Sequence, residues 1–108
     1  MIKNQRQSQR FVVSLPIQLS FGPQITLLGH LKDLSLKSAF VKLKNSIYME
    51  PNDELSFTID YGSDNAEDRI EGSARISRID AGEGIAIYFT KMDEGSSTRL
   101  QQLVATGS

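Results

Sequence analysis

The chain has 108 residues, 39% of them hydrophobic, with 12 basic and 13 acidic residues and a net charge of −1. This length predicts one domain with a small core. The absence of cysteine excludes disulfides, thiolate nucleophiles and sulfur metal sites, and a single histidine, His30, leaves little for a metal site or a catalytic triad. Because no apolar run reaches about 18 residues and the N-terminus is polar, we expect no membrane insertion, no secretory peptide and a cytoplasmic location.

The basic and acidic residues are unevenly distributed along the chain. Residues 1–44 hold seven basic residues and one acid, residues 45–94 hold four basic and twelve acidic residues, and Arg99 follows, giving +6, −8 and +1. A basic first part indicates an anionic partner, whereas the acidic remainder would repel a long nucleic acid. A small anion fits this balance best, and a solvated surface of mixed charge is the alternative.

The first 21 residues predict an arm followed by a strand. Residues 1–10 are polar and without periodicity, so they are expected to form a flexible arm or loop. Strict alternation then predicts a half-buried strand from Phe11 to Phe21, with one face apolar: Phe11, Val13, Leu15, Ile17, Leu19 and Phe21. Pro16 cannot donate a hydrogen bond to a neighbouring strand, and Gly22-Pro23 predicts a turn.

Five further strands are predicted by the same alternation. They cover residues 24–34, 39–44, 55–61, 69–79 and 84–89, separated by polar turns. In the first of these, Leu34 breaks the parity set by Leu27 and Leu31, and Gly29 suggests a bulge or a bend.

The C-terminus changes period. In SSTRLQQLV, residues 96–104, Leu100, Leu103 and Val104 share one face of a short helix, which Asp93 or Ser96 could cap. Six strands at roughly ten-residue spacing with tight turns predict a mainly β fold, a small antiparallel barrel or sandwich. The helix is then expected to plug one end or cover an edge.

Three segments together resemble the PilZ domain family, bacterial receptor modules for cyclic di-GMP. They are RQSQR at residues 6–10, DLSLKS at 33–38 and ARISRIDAGEGIAIYF at 74–89. The family pattern is R-x-x-x-R before the first strand and D/N-x-S-x-x-G after the second. The resemblance covers nearly the whole chain. It implies a single stand-alone domain, a six-stranded antiparallel split barrel with a C-terminal α-helix over residues 11–108, preceded by an arm at residues 1–10.

The resemblance implies a set of ligand-binding residues: Arg6, Arg10, Asp33, Ser35 and Ser38. Arginine suits the phosphates and the guanine edges of cyclic di-GMP because its planar fork binds both bidentately and also stacks on flat rings. Two arginines on an arm can close over the ligand while offsetting its phosphate charge. Asp33 would accept from guanine N1–H and the N2 amine, and the Ser35 hydroxyl would add a bond.

Three positions carry smaller implications. Ser38 stands where the family has glycine, which would allow positive φ or close approach of the backbone to the ligand. Gln5, before the first motif arginine, bears on whether one ligand or a stacked pair binds. Arg78 either pairs with neighbouring acids or lines the ligand-facing rim. Arg6 and Arg10 as solvated arm residues, and Asp33 and Ser35 as ordinary turn residues, are the alternatives.

Three functions remain open at this point. The first is a cyclic di-GMP receptor that changes conformation and regulates a downstream protein. The second is a PilZ-like adaptor that binds no nucleotide and acts through protein contact. The third, a barrel binding single-stranded nucleic acid, is disfavoured because aromatic residues are only 7% of the chain. We expect no enzyme activity and no cofactor, because no nucleophile–base pair, metal set or phosphate loop is present.

Overall fold

The computed structural model describes residues 11–12, 15–43, 49–60 and 69–107. These residues form seven strands and one helix in the order β1 Phe11–Val12, β2 Pro16–Phe21, β3 Ile25–Leu34, β4 Ser38–Lys42, β5 Glu54–Asp60, β6 Arg69–Asp80, β7 Gly84–Met92 and α1 Glu94–Gly107.

All strand pairings are antiparallel, and the sheet closes on itself. From β2 the neighbours run to β5, β6, β7 and β4, and β4 then pairs with β3, which returns to β2. β1 pairs with the last two residues of β3, beyond the part of β3 that pairs with β2. β1 and β2 therefore lie along the same edge of β3 and together complete a closed six-stranded barrel, as predicted.

The barrel encloses one apolar core, because alternating residues of β2 to β7 point inward, except where β-bulges shift the phase. Ile17, Leu19, Phe57, Ile59, Ile76 and Ile87 are among its fully buried members. The predicted alternation is confirmed in β2, where Ile17 and Leu19 are buried and Pro16 and Gln18 are exposed.

The inward phase of β3 changes at a β-bulge. Leu31 pairs with Val41 and Asp33 pairs with Phe40, which leaves Lys32 as the extra residue. The bulge therefore lies at Lys32 and not at Gly29, which pairs in register with Ile17. A Cβ on Gly29 would stand 2.8 Å from the Lys42 carbonyl oxygen, so this glycine permits the close approach of β4. The shift also explains why Leu34, out of phase with Leu31 in the sequence, is buried.

Asp93 caps the C-terminal helix α1, which confirms one of the two caps predicted from the sequence. The Ser96 amide donates to Asp93 Oδ1 at 3.0 Å. Hydrogen bonding from the Ser96 side chain, and then from this amide, lowers the pKa of the Asp93 carboxyl. Ser96 instead accepts from the Glu71 amide at 3.0 Å and joins α1 to β6. Leu100 and Val104 are buried against the barrel. No helix within the described ranges is long and apolar enough to cross a membrane.

Candidate ligand-binding face

The residues of DLSLKS form the connection between β3 and β4, and Ser35 organises it. Its side chain is 1% exposed. Its hydroxyl accepts from the amides of Lys37 and Ser38 at 3.2 and 3.1 Å, and lies 3.2 Å from the Ser38 carbonyl oxygen, to which it donates. The Ser35 amide closes the same turn on that carbonyl at 2.9 Å. Ser35 thus fixes the shape of this turn, residues 35–37, which we call the motif turn.

Ser38 begins β4 in a conformation that does not need glycine. Of the non-glycine residues that the structure describes, only Asn52 has a positive φ, and Ser38 pairs in register with Tyr88 of β7. The Ser38 hydroxyl lies 3.2 Å from that of Ser35. Serine in place of the motif glycine therefore causes no backbone strain, and its effect is to add a hydroxymethyl group.

The bulge at Lys32 turns Asp33 to the outside of the barrel. Leu31 points inward, so without the extra residue Asp33, two positions later, would point inward as well. Instead Asp33 pairs with Phe40, which faces outward between the buried core residues Ala39 and Val41. The fold therefore presents the motif carboxylate on the outer surface.

A second bulge does the same for Arg78 on β6. Ile76 pairs with Ile87 and Arg78 pairs with Ala86, which leaves Ser77 as the extra residue, its hydroxyl donating to the Ala86 carbonyl at 3.2 Å. Because Phe40 also pairs with Ala86, four residues on four adjacent strands form one line across the outside of the barrel. We call it the outer row: Asp33, Phe40, Ala86 and Arg78.

Charged side chains cover the aromatic ring of the outer row. Phe40 is only 7% exposed although it points outward, because Lys32 Nζ and Arg78 Cζ lie 5.7 and 5.9 Å from its ring centroid. Arg78 donates from Nε and Nη2 to the two carboxylate oxygens of Asp80, at 3.0 and 3.1 Å. These bonds raise the pKa of Arg78, to which the charge of Asp33 also contributes, and they lower the pKa of Asp80.

Strand β1, which follows the N-terminal motif in the sequence, joins the barrel beside the motif turn. Phe11 pairs with Leu34 and Val12 pairs with Asp33. Gln5, Arg6 and Arg10, predicted from the sequence as ligand residues, lie outside the described residues, as does the predicted arm at residues 1–10. Of the other predicted residues, Asp33, Ser35 and Ser38 lie within or next to the motif turn, and Arg78 lies at the far end of the outer row.

Comparison with known proteins decides the family. The family model described as the PilZ domain matches residues 4–106. The chain belongs to the PilZ domain family. No curated protein matches this PilZ domain, so further likeness comes from solved structures.

Three solved structures share the fold of this PilZ domain. The inhibitor of motility (MotI/DgrA) of Bacillus subtilis has a TM-score of 0.79 at 16% identity, over 96% of this chain and 51% of that one. The PilZ domain of YcgR from Escherichia coli with c-di-GMP has a TM-score of 0.71 at 15% identity, covering 96% and 92%. The K. pneumonia MrkH–c-di-GMP complex has a TM-score of 0.76 at 11% identity, covering 97% and 52%. The chain thus spans about half the length of the motility inhibitor and of MrkH.

Of the surface cavities of this PilZ domain, one of about 240 Å³ reaches the motif turn at Leu36, between β7 and α1, and contains none of the predicted site residues. Another of about 620 Å³ is lined by β5, β6 and β7 residues such as Ser56, Glu71 and Lys91, and contains none of the predicted site residues. No group of three or more acidic or histidine side chains suited to a metal occurs among the residues that the structure describes. Of the predicted residues in the described part, Asp33, Ser38 and Arg78 lie on the outer face of the barrel, and Ser35 is buried in the motif turn.

Sequence reasoning missed Lys32, Phe40 and Asp80, which complete this face. Their roles depend on two bulges that bring strands distant in sequence into one row. One signal was present, since the break of parity between Leu31 and Leu34 is what a bulge between them produces. No comparable signal pointed to Phe40, because alternation in β4 places it outside and says nothing of the side chains above it.

Proposed function

We propose that this PilZ domain is a receptor for cyclic di-GMP that changes conformation on binding and so regulates a partner protein. The pairing of β1 with the end of β3 is the observation that supports it most strongly. Arg10 precedes Phe11, and Phe11 pairs with Leu34, the residue after Asp33. The chain that follows the first half of the motif therefore joins the barrel next to the second half, although Arg10 and Asp33 are 23 positions apart in the sequence. Because adjacent Cα atoms are about 3.8 Å apart, we propose that the Arg10 side chain reaches a ligand bound at the motif turn.

The charges around the outer row support a role for the arm. Lys32 and Arg78 carry two positive charges, and Asp33 and Asp80 carry two negative ones, so this cluster has no net charge to offset two phosphates. Arg6 and Arg10 supply two positive charges with the planar fork that suits phosphate. We propose that these arginines hold the phosphates and that their closure over the ligand alters the surface that a partner meets.

Asp33 and Ser35 have different parts in this proposal. Asp33 is carried to the outer surface, where its carboxylate accepts from guanine N1–H and the N2 amine. Ser35 is buried and already bonded within the motif turn, so its first role is to hold that turn in shape. A direct bond from Ser35 to the ligand requires its hydroxyl to exchange one local partner, and it remains a prediction from the sequence.

The relatives support cyclic di-GMP as the ligand but do not identify the partner protein. Structures of the same fold are described as holding c-di-GMP in YcgR and MrkH, and the B. subtilis relative is described as an inhibitor of motility. For this chain we propose a non-enzymatic, cytoplasmic receptor with no cofactor and no membrane insertion. Its partners are cyclic di-GMP and an unidentified protein, not a nucleic acid polymer.

One observation favours the second candidate, an adaptor that binds no nucleotide. Ser38 adds a hydroxymethyl group at the position where the family has glycine, at the start of β4 beside Tyr88. That group reduces the space over the motif turn. Binding of a protein partner that persists after replacement of both Arg6 and Arg10 would support this candidate.

Calorimetric titration with cyclic di-GMP tests the proposal. We expect saturable binding with a Kd of about 1 μM or below, which corresponds to roughly −8 kcal/mol. Cyclic di-AMP is the matched control, because it keeps the phosphates and lacks the guanine O6 and N2 groups; it should bind at least tenfold more weakly. Absence of heat up to about 100 μM cyclic di-GMP would favour the adaptor.

A further inference from the structure

The two bulges place the ends of the outer row in equivalent positions. Asp33 and Arg78 each follow an inserted residue, Lys32 and Ser77, and each would point into the core without it. Bulges that re-aim a side chain are common beside functional sites. Three strand spacings separate the two residues, about 14 Å across the sheet. The bulges therefore direct the charged side chains at both ends of the outer row to the outer surface of the barrel.

The Arg78 side chain contacts Asp80 and the Phe40 ring, and the rest of it is exposed to solvent. Asp80 accepts from both Nε and Nη2, which fixes the guanidinium plane, and Cζ lies over the Phe40 ring at 5.9 Å from its centroid. The side chain of Arg78 is nevertheless 62% exposed. A guanidinium with one bidentate edge occupied and one flat side open to solvent is suited to stack on a planar ring.

We propose that the second guanine base of cyclic di-GMP stacks on the exposed side of the Arg78 guanidinium, while Asp33 binds the first. This inference rests on the proposed function and identifies the part of the ligand that meets β6. Ala86 lies between Phe40 and Arg78 in the outer row, and its small side chain leaves space over which the ligand extends. Asp80 is a positioning residue that holds the guanidinium plane and does not touch the ligand.

A base fits this position better than a phosphate. One bidentate edge of the guanidinium, Nε and Nη2, is already bonded to Asp80. The Asp80 carboxylate would repel a phosphate brought to the remaining edge. Stacking uses the flat side of the group instead, which these bonds leave open. Lysine at position 78 would keep the charge and lose the plane, so it distinguishes stacking from charge.

The test compares calorimetric titrations of cyclic di-GMP into wild type, Arg78→Lys, Arg78→Ala and the control Arg69→Ala. Arg69 lies on the same strand about 30 Å away and pairs with Asp60 at 3.7 Å. We expect Kd to rise roughly tenfold in both Arg78 variants, as for loss of one stacked base, and to stay within about twofold in Arg69→Ala. In wild type, the NMR signal of the Arg78 Nε proton should move upfield on saturation, through the ring current of the stacked base.

Each outcome has a separate meaning. Wild-type binding with unchanged affinity in Arg78→Ala overturns this inference and leaves the proposed function intact. Wild-type affinity in Arg78→Lys with a loss in Arg78→Ala also overturns it, because charge alone would then suffice. Absence of binding by the wild type overturns the inference together with the proposed function. Thermal melting of each variant checks that the barrel is folded.

Discussion

At the scale of single residues, substitution of Ser38 tests how closely the ligand approaches the barrel. Its backbone is strand-like and does not require glycine, so its side chain is the main difference from the family pattern. We expect Ser38→Gly to bind cyclic di-GMP more tightly, by up to about tenfold or 1.4 kcal/mol, because the ligand can move closer to the motif turn. Titration calorimetry measures the change. Weaker binding in the glycine variant would show instead that the serine hydroxyl holds the ligand.

Ser35, in contrast to Ser38, is expected to affect the stability of the fold more than the binding of the ligand. Its buried hydroxyl satisfies the amides of Lys37 and Ser38, and alanine would leave both amides without that acceptor. We expect Ser35→Ala to lower the free energy of unfolding by about 1–3 kcal/mol, measured by urea denaturation. Ser56→Ala, an exposed strand position, should change it by less than about 0.5 kcal/mol. Equal effects of the two substitutions would contradict the role of Ser35 in the motif turn.

At the scale of secondary structure, the cap of α1 makes stability depend on pH. The hydrogen bonds from Ser96 lower the pKa of Asp93 in the folded state, so this carboxylate stabilises the fold above its unfolded pKa of about 3.9. That contribution is lost as the pH falls through the lower folded value. We expect Asp93→Ala to reduce Tm by a few degrees at pH 7 and to reduce it less below pH 3. Thermal melts by circular dichroism at both pH values check this, and a constant difference would contradict it.

The strands show what the sequence can and cannot predict at this scale. Burial on one side imposes a period of two, and that period correctly located β2 to β7. It also predicted one strand from Phe11 to Phe21, whereas Leu15 lies outside any strand and β2 begins at Pro16. A bulge was predicted in β3 but at Gly29 instead of Lys32, and the bulge at Ser77 was not predicted, because a bulge depends on the register of two strands and not on one. The positions of Asp33 and Arg78 depend on these bulges and so needed the structure.

For the helix α1, the sequence predicted the buried face and the cap but not the place where the helix docks. The apolar spacing of Leu100, Leu103 and Val104 predicted its buried face, and Asp93 was named as a possible cap. The contact of Ser96 with the Glu71 amide, 25 positions earlier in the sequence, could not be predicted, because no local pattern specifies where a helix docks.

At the scale of the whole molecule, the proposed receptor works by joining its first ten residues to the barrel. We expect ligand binding to slow amide hydrogen exchange in residues 1–10 and in the motif turn, because both would contact cyclic di-GMP. Exchange in β5, which contains none of the proposed ligand residues, is the internal control and should not change. Slower exchange throughout the barrel, with none in residues 1–10, would contradict closure of this segment over the ligand.

The central claim is that both halves of the motif hold one ligand, and titration of Arg10→Ala with cyclic di-GMP tests it most directly. Lys3→Ala is the matched control, because it removes a positive charge from the same segment outside the motif. We predict that Kd rises at least tenfold in Arg10→Ala, as expected for loss of a charge-assisted hydrogen bond worth about 1.5–3 kcal/mol, and changes little in Lys3→Ala. Wild-type affinity in Arg10→Ala would contradict the account.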